Sequence, residues 1–146
     1  MNDYKNSITV NAKPDEVAEL IGRVPAWWGA DFQGHSHKVD DSFTVRFGDT
    51  WVNFRLTEVV PGRKIVWKVM DCNLAWLRDK NEWKDTEIVW ELASQGNATR
   101  VNFTHVGLVP EIECYKNCSL GWNFYLQKSL VGLVNENLGL PDQDPD

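Results

Sequence analysis

The chain has 146 residues, the size of one domain, and its 42% hydrophobic and 25% charged residues exclude intrinsic disorder, collagen and coiled coil. Fifteen Lys and Arg against 21 Asp and Glu leave a net charge of −6 with no basic run, which argues against nucleic acid and anionic membrane surfaces as partners. No stretch approaches the roughly 18 apolar residues of a membrane span.

The opening MNDYKNSITV lacks the apolar core of a secretory signal. Three cysteines, Cys72, Cys114 and Cys118, are too few for a disulfide scaffold, and together these features place the chain in a reducing cytoplasm.

Residues 7–11 (SITVN) alternate as a first strand. Pro14, Asp15 and Glu16 suit a helix first turn, with Val17, Leu20 and Ile21 following at helical spacing. After Pro25 a second short helix is expected around Trp27 and Trp28, closed by Gly29, with Trp27 at the surface. From Ser42 the period becomes two: Phe43, Val45 and Phe47 share a face, as do Val52, Phe54 and Leu56, then Ile65, Trp67 and Val69. Pro61-Gly62 supplies the turn between the last two of these strands.

Residues 71–85 form a longer polar connection holding Trp76, Leu77 and Trp83. Ile88, Trp90 and Leu92 then face one way with Glu87 and Glu91 opposite, and Val101, Phe103 and His105 share a face on the next strand. From about residue 114 to 137 a proline-free segment predicts one helix of roughly 36 Å. Cys118, Trp122, Leu126, Leu130 and Leu133 form one apolar stripe on it, and Leu120, Phe124, Val131 and Leu138 a second. Gly121 and Gly132 face the same way and each costs about 1 kcal/mol against Ala, a loss that close approach to a sheet would repay. The acidic tail, residues 140–146, is expected to be disordered, leaving residues 1–139 as a single domain.

A sheet this amphipathic needs a cover, and the long helix is the only element able to provide one. The expected fold is α+β: a curved antiparallel sheet of about six strands around a long C-terminal helix, with two short helices after the first strand.

This order of elements, with Ala12-x-Pro14-x-x-Val17 after the first strand and Trp27-Trp28 close behind, resembles the START/SRPBCC superfamily. That superfamily has the helix-grip fold of the birch-pollen allergens. Glu82-Trp83-x-Asp85-Thr86-x-Ile88 is similar to the entry to its fifth strand. Thr104-His-x-Gly107, followed by Gly121-Trp122 with Leu126 and Leu130, resembles the end of its last strand and its C-terminal helix. The pattern is most similar to the branch named for the Hsp-ninety ATPase activator, which holds many bacterial proteins of unknown role. The resemblance covers roughly residues 5 to 139 and implies a hydrophobic cavity between sheet and helix.

Motifs of nucleotide binding, zinc proteolysis and serine hydrolysis are missing. His105 points inward by parity, either as a polar contact or base in the cavity or as a hydrogen-bonded residue closing its strand. His35 and His37, with Asp31, Asp40 and Asp41 nearby, match no metal signature and read as a solvated loop, so no metal and no cofactor is expected. Cys114 and Cys118, four apart on one helix face, read as two thiols packing as small apolar groups.

The inward aromatic set is either a filled core or the wall of a cavity. On the cavity reading the lining is Trp28, Phe47, Phe54, Trp67, Trp90, Phe103, His105, Trp122, Tyr125 and Leu126. The first functional reading is a small binding protein for a hydrophobic molecule, lipid-like or polyketide-like. A second is a cyclase- or hydrolase-like enzyme using His105, Tyr125, Arg46 or Glu82, and catalysis stays open. A third is a chaperone-associated module or a homodimer meeting through the second apolar stripe.

Overall fold

Alternation of apolar and polar residues along most strands produces one antiparallel sheet whose main covered face is the concave one, as a half-buried sheet requires. In the computed structural model, which describes residues 2–142, the strands are β1 (Tyr4–Val10), β2 (Asp31–Gly34), β3 (Ser42–Phe47), β4 (Thr50–Val60), β5 (Lys64–Asn73), β6 (Glu87–Gln95) and β7 (Ala98–Val106). Their order across the sheet is β1-β7-β6-β5-β4-β3-β2, antiparallel throughout. Register shifts at Asn53/Phe54 and Leu56/Glu58 interrupt the β4–β5 ladder, and such bulges sharpen the local bend of a sheet. The parity read from sequence holds: Phe43, Val45, Phe54, Trp67, Trp90, Val101 and Phe103 are all buried on the concave side.

Two short helices, α1 (Pro14–Gly22) and α2 (Val24–Trp27), follow β1. The C-terminal helix begins as α3 (Tyr115–Phe124), widens through a π-helical turn (Tyr125–Leu130) and ends as α4 (Val131–Glu136). Its inward stripe lies against the sheet, with Trp122, Leu126, Leu130 and Leu133 buried and Cys118 half-buried, while Leu120 and Leu138 are exposed. This is the helix-grip α+β fold.

Four local expectations change. The sheet has a seventh strand, β2, whose Asp-Phe-Gln-Gly carries too few apolar residues to alternate. Its pairing with β3 sets Phe32 opposite Val45. Trp27 is fully buried rather than at the surface: α2 is wedged between sheet and C-terminal helix, and the Trp27 indole N–H donates to the Ile21 carbonyl at 3.0 Å. Gly121 does not permit close approach to the sheet, because a Cβ there would meet nothing within 4 Å.

The start of the acidic tail is also held in place. Leu140 N–H donates to Ser129 Oγ at 2.7 Å, and Ser129 Oγ in turn donates to the Trp27 carbonyl at 2.6 Å. Asp142 N–H donates to the Trp28 carbonyl at 2.8 Å. Residues 143–146 of the expected disordered tail lie outside the described residues.

Among the described residues no helix is long and apolar enough to cross a membrane.

Candidate functional site

The interior between sheet and helix is filled at one end and hollow at the other. At the filled end Trp27, Trp90, Phe103 and Trp67 pack edge to face: Trp27–Trp90 centroids are 5.7 Å apart, Trp67–Trp90 5.4 Å and Trp90–Phe103 4.9 Å. Such geometry brings ring edges onto ring faces and leaves little space. At the other end a cavity of about 460 Å³ opens toward solvent, within the range of small-molecule sites.

Three parts of the chain build its wall. The β3–β4 hairpin contributes Phe47, Thr50 and Val52. The β5–β6 connection contributes Leu74, Trp76 and Trp83. One face of the C-terminal helix contributes Asn117, Cys118, Gly121, Trp122 and Tyr125. Trp28, from the end of α2, and Asp142 complete the boundary. Trp28 lies 4.9 Å from Trp122, and Trp83 stacks on Trp122 at 6.0 Å with a 13° tilt. Gly121 belongs to this face, and its missing side chain is part of the hollow.

The β5–β6 connection is tied down although its sequence reads as polar loop. Lys80 Nζ donates to the carbonyls of Ala75 and Leu77, both at 2.9 Å, and Asn81 Nδ2 donates to the Cys72 carbonyl. Glu82 accepts the N–H groups of Glu113 and Cys114 at 2.9 and 2.8 Å, so its carboxylate caps the start of α3. Glu113 accepts Arg78 N–H at 3.0 Å, fastening the same loop from the other side. These carboxylates lock Trp76 and Trp83 over the cavity.

Of the residues read as cavity lining, Trp28, Phe47, Trp122 and Tyr125 border the hollow. Phe54, Trp67, Trp90, Phe103 and Leu126 lie behind it in the packed core. His105 also sits behind, against the edge of Trp83 at 4.6 Å, fully buried. The Trp122 indole can only donate, so its N–H, 3.1 Å away, makes His105 Nδ1 an acceptor and puts the ring proton on Nε2. Nε2–H then donates to Thr86 Oγ1 at 2.9 Å, and Thr86 Oγ1 donates to the Trp83 carbonyl at 2.6 Å. Burial pushes the His105 pKa down to about 3, holding the ring neutral. Gly107, at φ 101°, keeps Thr86 in this chain of bonds, since a Cβ there would press on the Thr86 methyl at 2.7 Å.

The remaining candidates are engaged elsewhere. Arg46 is exposed on the outer face of β3, and Glu82 is spent on the helix cap. His37 Nε2 lies 3.2 Å from Glu19 Oε2 at the surface, and among the described residues no cluster could hold a metal. Cys114 and Cys118 are not two separate thiols: their Cα atoms are 5.5 Å apart and they form a disulfide across the first turn of α3. Spacing on the helix wheel could have added Cys118 and Gly121 to the sequence list. No sequence signal singled out Trp76, Leu74 or Asp142.

A family model described as Activator of Hsp90 ATPase homolog 1-like protein matches residues 21–135. The chain belongs to this family. Its fold is similar to that of the Aha1 dimer from Colwellia psychrerythraea, at 22% identity and a TM-score of 0.78, covering 95% of this chain and all of that one. DynU16, a protein of the dynemicin biosynthetic locus, is similar at 17% identity and a TM-score of 0.73 over 94% of this chain, which spans 49% of DynU16. CalU16 from Micromonospora echinospora is similar at 15% identity and a TM-score of 0.66, covering 90% of this chain and 74% of that one. No curated protein matches the sequence. At these identities the likeness shows the shared fold, and function has to be argued from the cavity.

Proposed function

We propose that this family member is a small-molecule binding protein whose hollow end takes an apolar or aromatic ligand, lipid-like or polyketide-like. The observation that carries this reading is the cavity of about 460 Å³ bordered by six aromatic rings and by a helix face left bare at Gly121. A fold that only needed stability would gain about 1 kcal/mol from Ala there. A filled core would also close the hollow, because voids cost the dispersion contacts of the atoms that line them. The space is therefore a feature to be explained by an occupant.

Titration with fatty acids, sterols and flavonoid-like compounds, followed by intrinsic Trp fluorescence, tests the reading, since four indoles border the cavity. At least one class should change the emission saturably. Gly121→Leu, whose side chain would project into open space, should abolish that response while leaving the fold intact. Silence toward all three classes, or a response indifferent to Gly121→Leu, overturns it.

A homodimer is a second proposal, favoured by the exposed Leu120 and Leu138 and by the dimeric relative from Colwellia psychrerythraea. Light scattering of the wild type and of Leu120→Glu decides it: one monomeric mass for both removes the dimer.

A further inference from the structure

Among the described residues, the six rings around the cavity are joined by a single formal charge, the Asp142 carboxylate, and no Lys, Arg or His borders the space. Asp142 is fixed at the rim from two sides. Its N–H donates to the Trp28 carbonyl at 2.8 Å, and its carboxylate accepts Ala30 N–H at 3.2 and 3.3 Å. A carboxylate offers about four acceptor positions, so one backbone donor leaves capacity for a ligand.

The faces of Trp, Tyr and Phe carry negative electrostatic potential and attract cations, Trp most strongly. A ligand carboxylate entering this space would lose its water, meet no cation and face Asp142. A ligand ammonium would meet indole faces and a carboxylate. Apolar burial alone is indifferent to that sign, whereas this wall is not.

Resting on the ligand-binding reading above, we propose that the cavity selects flat aromatic ligands that carry a positive charge, such as a protonated arylalkyl amine or a heteroaromatic cation. The ring system stacks among Trp28, Trp83 and Trp122, and the cationic end lies toward the rim at Asp142. Fatty acids and aryl carboxylates are the molecules such a site turns away.

Three probes of one shape and different charge test this by calorimetry at physiological salt: 2-naphthylmethylammonium, 2-naphthylmethanol and 2-naphthoate. The neutral alcohol reports on the cavity itself, and its binding should disappear in Gly121→Leu. The ammonium should bind about tenfold or more tighter than the carboxylate, a ratio that a cation–ring contact and one charge pair can supply. Asp142→Asn keeps an oxygen to accept Ala30 N–H, so it should narrow that ratio several-fold.

If the alcohol fails to bind, or binds equally to Gly121→Leu, the ligand-binding reading falls and this proposal with it. If the alcohol binds in a Gly121-dependent way but the carboxylate matches or exceeds the ammonium, charge selection alone is overturned. A full ammonium preference that survives Asp142→Asn removes Asp142 from the assignment.

Discussion

Trp27 and Trp28 are neighbours in sequence and belong to different regions of the molecule. Trp27 points into the filled end, where it meets Trp90 edge to face and its N–H is satisfied by Ile21. Trp28 points into the hollow end, where it meets Phe47, Trp67 and Trp122 on some sides and open space on another. The same residue type, one position apart, serves packing in one case and forms the wall of a cavity in the other. Aromatic content alone therefore says nothing about whether an interior is filled; the decisive residue is small, and here it is Gly121.

The largest effect that can break the comparison comes from truncating the two indoles. Trp27→Ala should cost about 3–5 kcal/mol, as large aromatic truncations in packed cores do, and it also frees the Ile21 carbonyl. Against a typical total of about 5–15 kcal/mol, such a variant melts early or fails to fold. Trp28→Ala should cost less, because the part of its ring that faces the void has no packing to lose, although the rest touches Trp27, Phe47, Phe54, Trp67 and Trp122. Urea denaturation of both reads the difference, and equal losses would mean that the two ends are packed alike.

The seam between the two ends runs through His105, and pH probes it. A buried neutral imidazole with its pKa near 3 takes up no proton until strongly acid pH, whereas the unfolded chain takes one up around the ordinary value of 6.5. Between those values the unfolded state binds more protons, so stability is full above about pH 6.5 and falls as the pH drops toward 3. From pH 7 to pH 5 the loss from this residue should be about 2 kcal/mol. In His105→Gln the denaturation midpoint should depend correspondingly less on pH over that window. An unchanged slope would show that His105 is reached by solvent and belongs with the hollow end.

How much of this was legible in the sequence follows from the range of the forces involved. Parity along β3 to β7 is local, and it put Phe43, Phe54, Trp67, Trp90 and Phe103 on the correct face. The stripe of Trp122, Leu126, Leu130 and Leu133 was equally local, and the π-helical turn at Tyr125–Leu130 did not scramble it. Four-residue α2 carries too short a pattern for a wheel, so the burial of Trp27 depended on neighbours over a hundred residues away, among them Ser129. The cavity was legible only as an implication of resemblance. Its wall draws on Trp76, Trp83 and Asp142, each set by long-range hydrogen bonds such as those of Glu82 and Trp28 that no periodicity records. The residue expected to matter most, His105, was correctly aimed inward, but one layer short of the space.

The smallest stability effect is expected at Trp76, and it sharpens the comparison most. Trp76 is 51% exposed, yet it borders the cavity from the β5–β6 connection. That loop is held by other groups, namely Lys80 on the carbonyls of Ala75 and Leu77 and the Glu82 and Glu113 carboxylates on backbone N–H groups. None of these bonds uses the indole, so Trp76→Ala should shift stability by no more than about 0.5 kcal/mol, as ordinary surface changes do. Binding is another matter, because a bound arene would lie against the indole face and lose that contact. Ring–ring contacts contribute roughly 0.5–1.5 kcal/mol beyond the area they bury, which converts to a several-fold weaker affinity for 2-naphthylmethanol. Calorimetry and urea denaturation on the same variant separate the two quantities. Weaker binding with unchanged stability makes Trp76 a wall of the site. Lost stability would make it a support for the loop, and unchanged binding would move the ligand deeper, toward Trp122.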